Sequence, residues 1–101
     1  MIKKQFLKSK PVCKVTFSIP AEAAVEAKEV KLVGEFSDWT KSPIEMKKLK
    51  DGSFKTVVSL ETGKEYEFRY VIDGDRWEND WEADAYRSNA VTFEENSVVS
   101  L

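Results

Sequence analysis

The chain has 101 residues, 42% of them hydrophobic and 34% charged, which suits one folded domain with one core rather than a disordered segment. It holds no histidine and a single cysteine, Cys13, which excludes Ser-His catalysis, histidine or cysteine-rich metal sites and an internal disulfide. No glycine-rich nucleotide signature occurs, no apolar run reaches membrane-helix length, and the start lacks the apolar stretch of a secretory leader, so the expected compartment is the cytoplasm.

Charge is uneven along the chain. Residues 1–50 carry 11 lysines against 6 acids, a balance of +5, and residues 51–101 carry 5 cations against 12 acids, a balance of −7. The basic half contains no arginine to read base edges, and its lysines alternate with apolar residues as solvated strand faces do. Neither nucleic acid nor a membrane is therefore expected as a partner. Residues 1–10 are expected to form a flexible basic N-terminus ahead of one domain over residues 11–101.

Period-two patterning dominates from there. Cys13, Val15, Phe17 and Ile19 alternate with Lys14, Thr16 and Ser18, and Pro20 ends the run, which predicts a strand with one buried face. Residues 20–26 read as a loop with at most one helical turn. Val30–Val33 predicts a second strand ended or bulged at Gly34, and Glu45–Lys50 a third, short one. Asp51-Gly52 is a hairpin turn because both positions tolerate positive φ. Ser53–Leu60 returns with Phe54, Thr56, Val58 and Leu60 on one face, and Thr62-Gly63 turns again.

Glu65–Ile72 has the clearest alternation, with Tyr66, Phe68, Tyr70 and Ile72 on one side and Glu65, Glu67, Arg69 and Val71 on the other. Asp73-Gly74 leads to a short strand at Arg76-Trp77-Glu78. Residues 79–90 read as a polar loop, and Val91–Phe93 and Ser97–Leu101 as the last strands, with Asn96 in the turn between them. Seven to eight short strands with regular turns predict an all-β, immunoglobulin-like β-sandwich. The acidic run 73–84 fails as a calcium loop because Glu78 stands where such a loop needs glycine. No metal and no cofactor are expected.

Three blocks carry a more specific signal: Leu32-Val33-Gly34-Glu35-Phe36-Ser37-Asp38-Trp39, the stretch Tyr66 to Trp77, and Asn96 to Leu101. In this order they resemble the family-48 carbohydrate-binding module. That is the early-set domain of glycogen branching and debranching enzymes, and the glycogen-binding domain of the AMP-activated protein kinase β subunit. The resemblance covers roughly residues 12–101. It implies binding of α-1,4-linked glucan through two tryptophans, a basic residue and an asparagine, which fall here at Trp39, Trp77, Arg69 and close to Asn96. Arg69 stands where glycogen-binding members carry lysine, and Asp80-Trp81 replaces a frequent Asp-Pro.

These residue types suit a sugar. A flat indole covers the C–H face of a pyranose ring, and stripped hydroxyls need donors and acceptors, which Arg69, Asn96, Asn79 or Asp80 could supply. Trp81 is a further candidate for the same surface. Each has a purely structural alternative: Trp39, Trp77 and Trp81 as packing residues, and Arg69, which alternates with Glu65 and Glu67, in a cross-strand salt bridge. The expected function is a non-catalytic glycogen- or starch-binding module that targets or regulates a glycogen-metabolising enzyme. The alternative is a protein-interaction adaptor of the same fold without glucan binding. Catalysis is not expected.

Overall fold

A computed structural model describes residues 1–88 and 94–101. Ten short strands occur among them: β1 Ile2–Phe6, β2 Val12–Ile19, β3 Val30–Gly34, β4 Ile44–Glu45, β5 Lys47–Lys48, β6 Phe54–Glu61, β7 Glu65–Ile72, β8 Arg76–Glu78, β9 Ala85–Ser88 and β10 Glu95–Ser100. The only helical pieces among the described residues are single 3₁₀ turns, one of them at Ala21–Ala23. The chain is an all-β sandwich of two antiparallel sheets, as the patterning predicts. Sheet 1 runs β1-β2-β6-β5; sheet 2 runs β4-β3-β7-β10-β9, with β8 on the same edge of β7 as a continuation of the ladder.

The core lies between the sheets and is built from the inward half of each alternation. Cys13, Val15, Phe17 and Ile19 of β2 and Phe54 and Leu60 of β6 meet Val30 and Leu32 of β3, Phe68, Tyr70 and Ile72 of β7 and Val99 of β10. Phe17 is its hub, with its ring centroid 4.9 Å from Phe68 in an edge-on contact and 5.6 Å from Phe36. The hairpin turns are where the sequence puts them. Asp73 and Gly74 have φ of 51° and 77°, the two successive positive values of a type I′ turn.

Four details differ from the sequence reading. The lysine-rich start is not a loose tail: β1 pairs with β2 over five residues, directing Ile2, Lys4 and Phe6 to the same side as Phe17, Val15 and Cys13. Of this strand only Ile2 packs against the core; Lys3, Lys4, Gln5 and Phe6 are exposed, and the lysines blunt its open edge. The expected strand at Glu45–Lys50 splits, β4 pairing with β3 in sheet 2 and β5 with β6 in sheet 1. Met46 marks the crossing, buried, with its N–H donating to the Val30 carbonyl at 2.9 Å. Within the expected polar loop, Ala85–Ser88 forms β9 against β10, and Asn96 lies inside β10 rather than in a turn. The strand expected at Val91–Phe93 falls outside the described residues.

Candidate functional site

The outward face of sheet 2 carries most of the candidate residues. In antiparallel ladders, directly opposed residues project to the same face. Val33 opposes Arg69, Val71 opposes both Lys31 and Trp77, Val98 opposes Glu67, and Asn96 opposes Arg87. This face therefore carries Lys31, Val33, Glu67, Arg69, Val71, Trp77, Arg87, Asn96 and Val98. Its valines are buried although they point away from the core, and the neighbours on that face are long side chains.

Trp77 is 40% exposed, held on β8 by its pairing with Val71. The Arg69 guanidinium lies against the ring, with Cζ 5.2 Å from its centroid. Only 14% of the Arg69 side chain is exposed, and Nη1 donates to Glu94 Oε2 at 3.0 Å. Its Nε is buried without a partner among the described residues. Arg69 thus forms a salt bridge across to Glu94, the residue that precedes β10, the strand beside its own. Glu67 serves other groups, accepting from Asn96 Nδ2 at 3.1 Å and lying 3.7 Å from Arg87 Nη1. Neither Glu94 nor Arg87 stood out in the sequence; both come close through β9 and β10, whose pairing the polar composition of residues 79–90 conceals.

Trp39 sits on the loop that leaves sheet 2 at Gly34. There Ser37, itself buried, pins the turn: its Oγ accepts from the Gly34 N–H at 3.1 Å and donates to the Trp39 carbonyl at 2.9 Å. Asp38 and Trp39 both have positive φ, 51° and 54°, unusual for a bulky residue. The Trp39 side is half-buried. Gly34 opposes Phe68, and Trp77 opposes Val71 three residues further along β7. The Trp39 loop therefore leaves the sheet about 10 Å from the Trp77 row at a strand rise near 3.3 Å, with Arg69 between them. Gly34 is required for this exit: a Cβ there would lie 2.6 Å from the Glu67 carbonyl and 2.9 Å from Phe68 Cβ.

Trp81, 54% exposed, stands at the tip of the loop after β8. Asp80 beside it is the anchor of that loop. It is buried, and its Oδ2 accepts from the Tyr70 hydroxyl at 2.6 Å and from the N-terminal ammonium of Met1. Its Oδ1 accepts from the Glu82 N–H at 2.8 Å, and its carbonyl from the Tyr86 hydroxyl at 2.6 Å. Burial, reinforced by the Asp80 charge, pushes the Tyr70 phenol far above its usual pKa, so Tyr70 stays a donor. Asn79 is also engaged, with Nδ2 on the Glu95 carbonyl and Oδ1 accepting from Ser97 Oγ. Asn79 and Asp80, considered above as partners for ligand hydroxyls, thus hold the loop, and the outward polar groups are Arg69, Glu67, Asn96 and Arg87.

The sequence matches the family described as the glycogen recognition site of AMP-activated protein kinase over residues 22–97, well over half of the chain. The chain belongs to that family. It is a carbohydrate-binding module of the glycogen-recognition type, and the sandwich described above is its early-set fold. No curated protein matches the chain. The matched span contains Trp39, Arg69, Trp77, Trp81 and Asn96. Among the described residues no helix is long and apolar enough to cross a membrane.

Proposed function

We propose that this module binds α-1,4-linked glucan of the glycogen or starch type without catalysis, on the outer face of sheet 2. The observation that carries the reading is Trp77, an indole held partly in solvent on a rigid strand and backed by Arg69, within the family match. An indole fixed in this way covers a sugar C–H face at little entropic cost, and the adjacent guanidinium and Asn96 amide are suited to ring hydroxyls. Trp39, on the loop at the Gly34 end, supplies the second ring, and Trp81 extends the contact. In this reading the module acts in the cytoplasm and brings a glycogen-metabolising enzyme to its substrate.

The ligand is neutral, so binding is modest and nearly independent of salt. The expected range is micromolar to millimolar, about −4 to −8 kcal/mol. The test is an amide chemical-shift titration of the chain with a linear maltooligosaccharide, alongside Trp39→Ala and Trp77→Ala. Shifts centred on β7, β8 and the 35–41 loop, lost in each variant, support the reading. A wild type that gives no shifts, or variants that bind equally well, overturns it and leaves the adaptor function.

A further inference from the structure

We propose that the outer face of sheet 1, on the reverse of the sandwich, is a docking surface for a carboxylate-rich patch of a partner protein. This goes beyond glucan recognition and concerns a different face. The register places three rows there. Gln5, Lys14 and Ser59 form one row, Lys3, Thr16 and Val57 the next, and Ser18, Lys55 and Lys47 the third. All four lysines are exposed.

Two observations make this face unlike ordinary solvated strand surface. First, none of Lys3, Lys14, Lys47 and Lys55 has a carboxylate directly opposed to it in its row. Acids outnumber cations in this chain, 18 to 16, yet no acid stands within those rows. Glu61, at the end of β6, turns to Lys64 at 2.8 Å instead. Second, Lys47 and Lys55 are directly opposed across the β5–β6 ladder. Like charges in that relation repel and destabilise the pair. A face that served solubility alone would intersperse both signs.

The chemistry of the face selects its occupant. Its cations are ammonium point charges, spread over several strands of a flat pleated surface, rather than planar forks converging on one phosphate. They match separate carboxylates presented by a flat surface. At the centre stand Thr16 and Val57, with no bulky side chain to enter a lipid headgroup layer and no ring on which a base could stack. Because the Trp77 face belongs to the other sheet, glucan and partner can be held together.

The test is a titration of the isotopically labelled chain at low salt with a Glu-rich peptide. The comparison probes are the same peptide with Gln for Glu, phosphatidylserine-containing vesicles and an oligothymidylate. The Glu-rich peptide is expected to shift the amides around Lys14, Lys47, Lys55 and Val57. Those shifts should fade as salt shortens the Debye length from about 10 Å towards about 3 Å. A Lys14→Glu/Lys47→Glu/Lys55→Glu variant should lose the response while its amide spectrum remains that of the folded chain. Equal response to the Gln peptide, binding retained by the folded variant, or tighter binding of vesicles or oligonucleotide would each overturn the proposal.

Discussion

The two outer faces of the sandwich are built on opposite rules. On sheet 1, β6 follows strict alternation: Lys55, Val57 and Ser59 are exposed between residues that turn inward. On sheet 2 the alternation stops, and β7 ends with Tyr70, Val71 and Ile72 buried in succession while β10 buries four residues in a row. A strand buried on both faces has a second layer on its outer side, and here that layer is the polar and aromatic array around Arg69, Glu67 and Trp77. The same strand geometry thus gives an alternating, lysine-bearing surface on one side and a layered polar and aromatic array on the other.

Substitutions at matched positions break or sharpen this contrast. Val98 and Val57 both point away from the core, but Val98 is 0% exposed and Val57 56%. Val98→Ser should lower stability by about 2 kcal/mol, since it removes a buried side chain and buries a hydroxyl. Val57→Ser should stay within about 0.5 kcal/mol of wild type. Equal effects in denaturant unfolding would erase the distinction between the faces.

That contrast also shows what the sequence makes legible. Alternation over Cys13–Ile19 and Glu65–Ile72 identifies the core and the sandwich because each inward set meets the other sheet. The resemblance points to Trp39, Arg69, Trp77 and Asn96, while Trp81 departs from the family pattern and is a candidate only as an aromatic residue of the polar loop after β8; the ligand role of all five belongs to the proposed function. Partners set by the tertiary fold were not legible. Glu94 reaches Arg69 from 25 residues away, and Asp80 finds Tyr70 across the loop after β8. The β1 strand escaped because only Ile2 of its five residues packs against the core and Lys3, Lys4 and Gln5 show no alternation, and the β4–β5 split because two residues on either side of Met46 carry too little pattern to assign sheets.

Arg69→Ala tests the constructed face itself. It removes the cation stacked on Trp77 and the Glu94 pair, so stability should fall by about 1 kcal/mol. Maltooligosaccharide affinity should fall about tenfold, equivalent to 1.4 kcal/mol. Fluorescence quenching of Trp77 during titration would separate the two effects. Unchanged affinity with reduced stability would make Arg69 a purely structural residue.

Acid distinguishes a link between the sheets from the faces themselves. Asp84 follows the loop after β8, and Lys4 of β1 reaches it at 2.7 Å. Burial raises the Asp84 pKa, but hydrogen bonds from Lys4 and the Ser100 N–H outweigh it and hold the carboxyl below its usual 3.8. A folded pKa below the unfolded one stabilises the fold above the unfolded value. That contribution is lost as pH falls from 3.8 through the lower folded value. For a pair whose side chains are about a third exposed it is at most about 1 kcal/mol. Asp84→Asn should therefore narrow the stability difference between pH 7 and pH 3, measured by thermal unfolding. An unchanged acid limb would show that Asp84 does not couple the sheets.

The smallest effect belongs to the lysine face. Lys47→Glu converts the directly opposed Lys47–Lys55 repulsion into an attraction without touching the core. Stability at low salt should rise by about 0.2–1 kcal/mol, and the gain should shrink as salt is added. Lys41→Glu is the control, since it replaces the ammonium that lies 3.5 Å from Asp38 by a second acid on the same turn. A gain at position 47 beside a loss at 41 would show that the fold tolerates an avoidable repulsion on sheet 1. It would also show that stability alone does not account for the sign of that face. No gain at position 47 would mean that water already screens the lysines from each other, and the strain invoked for a carboxylate partner would be absent.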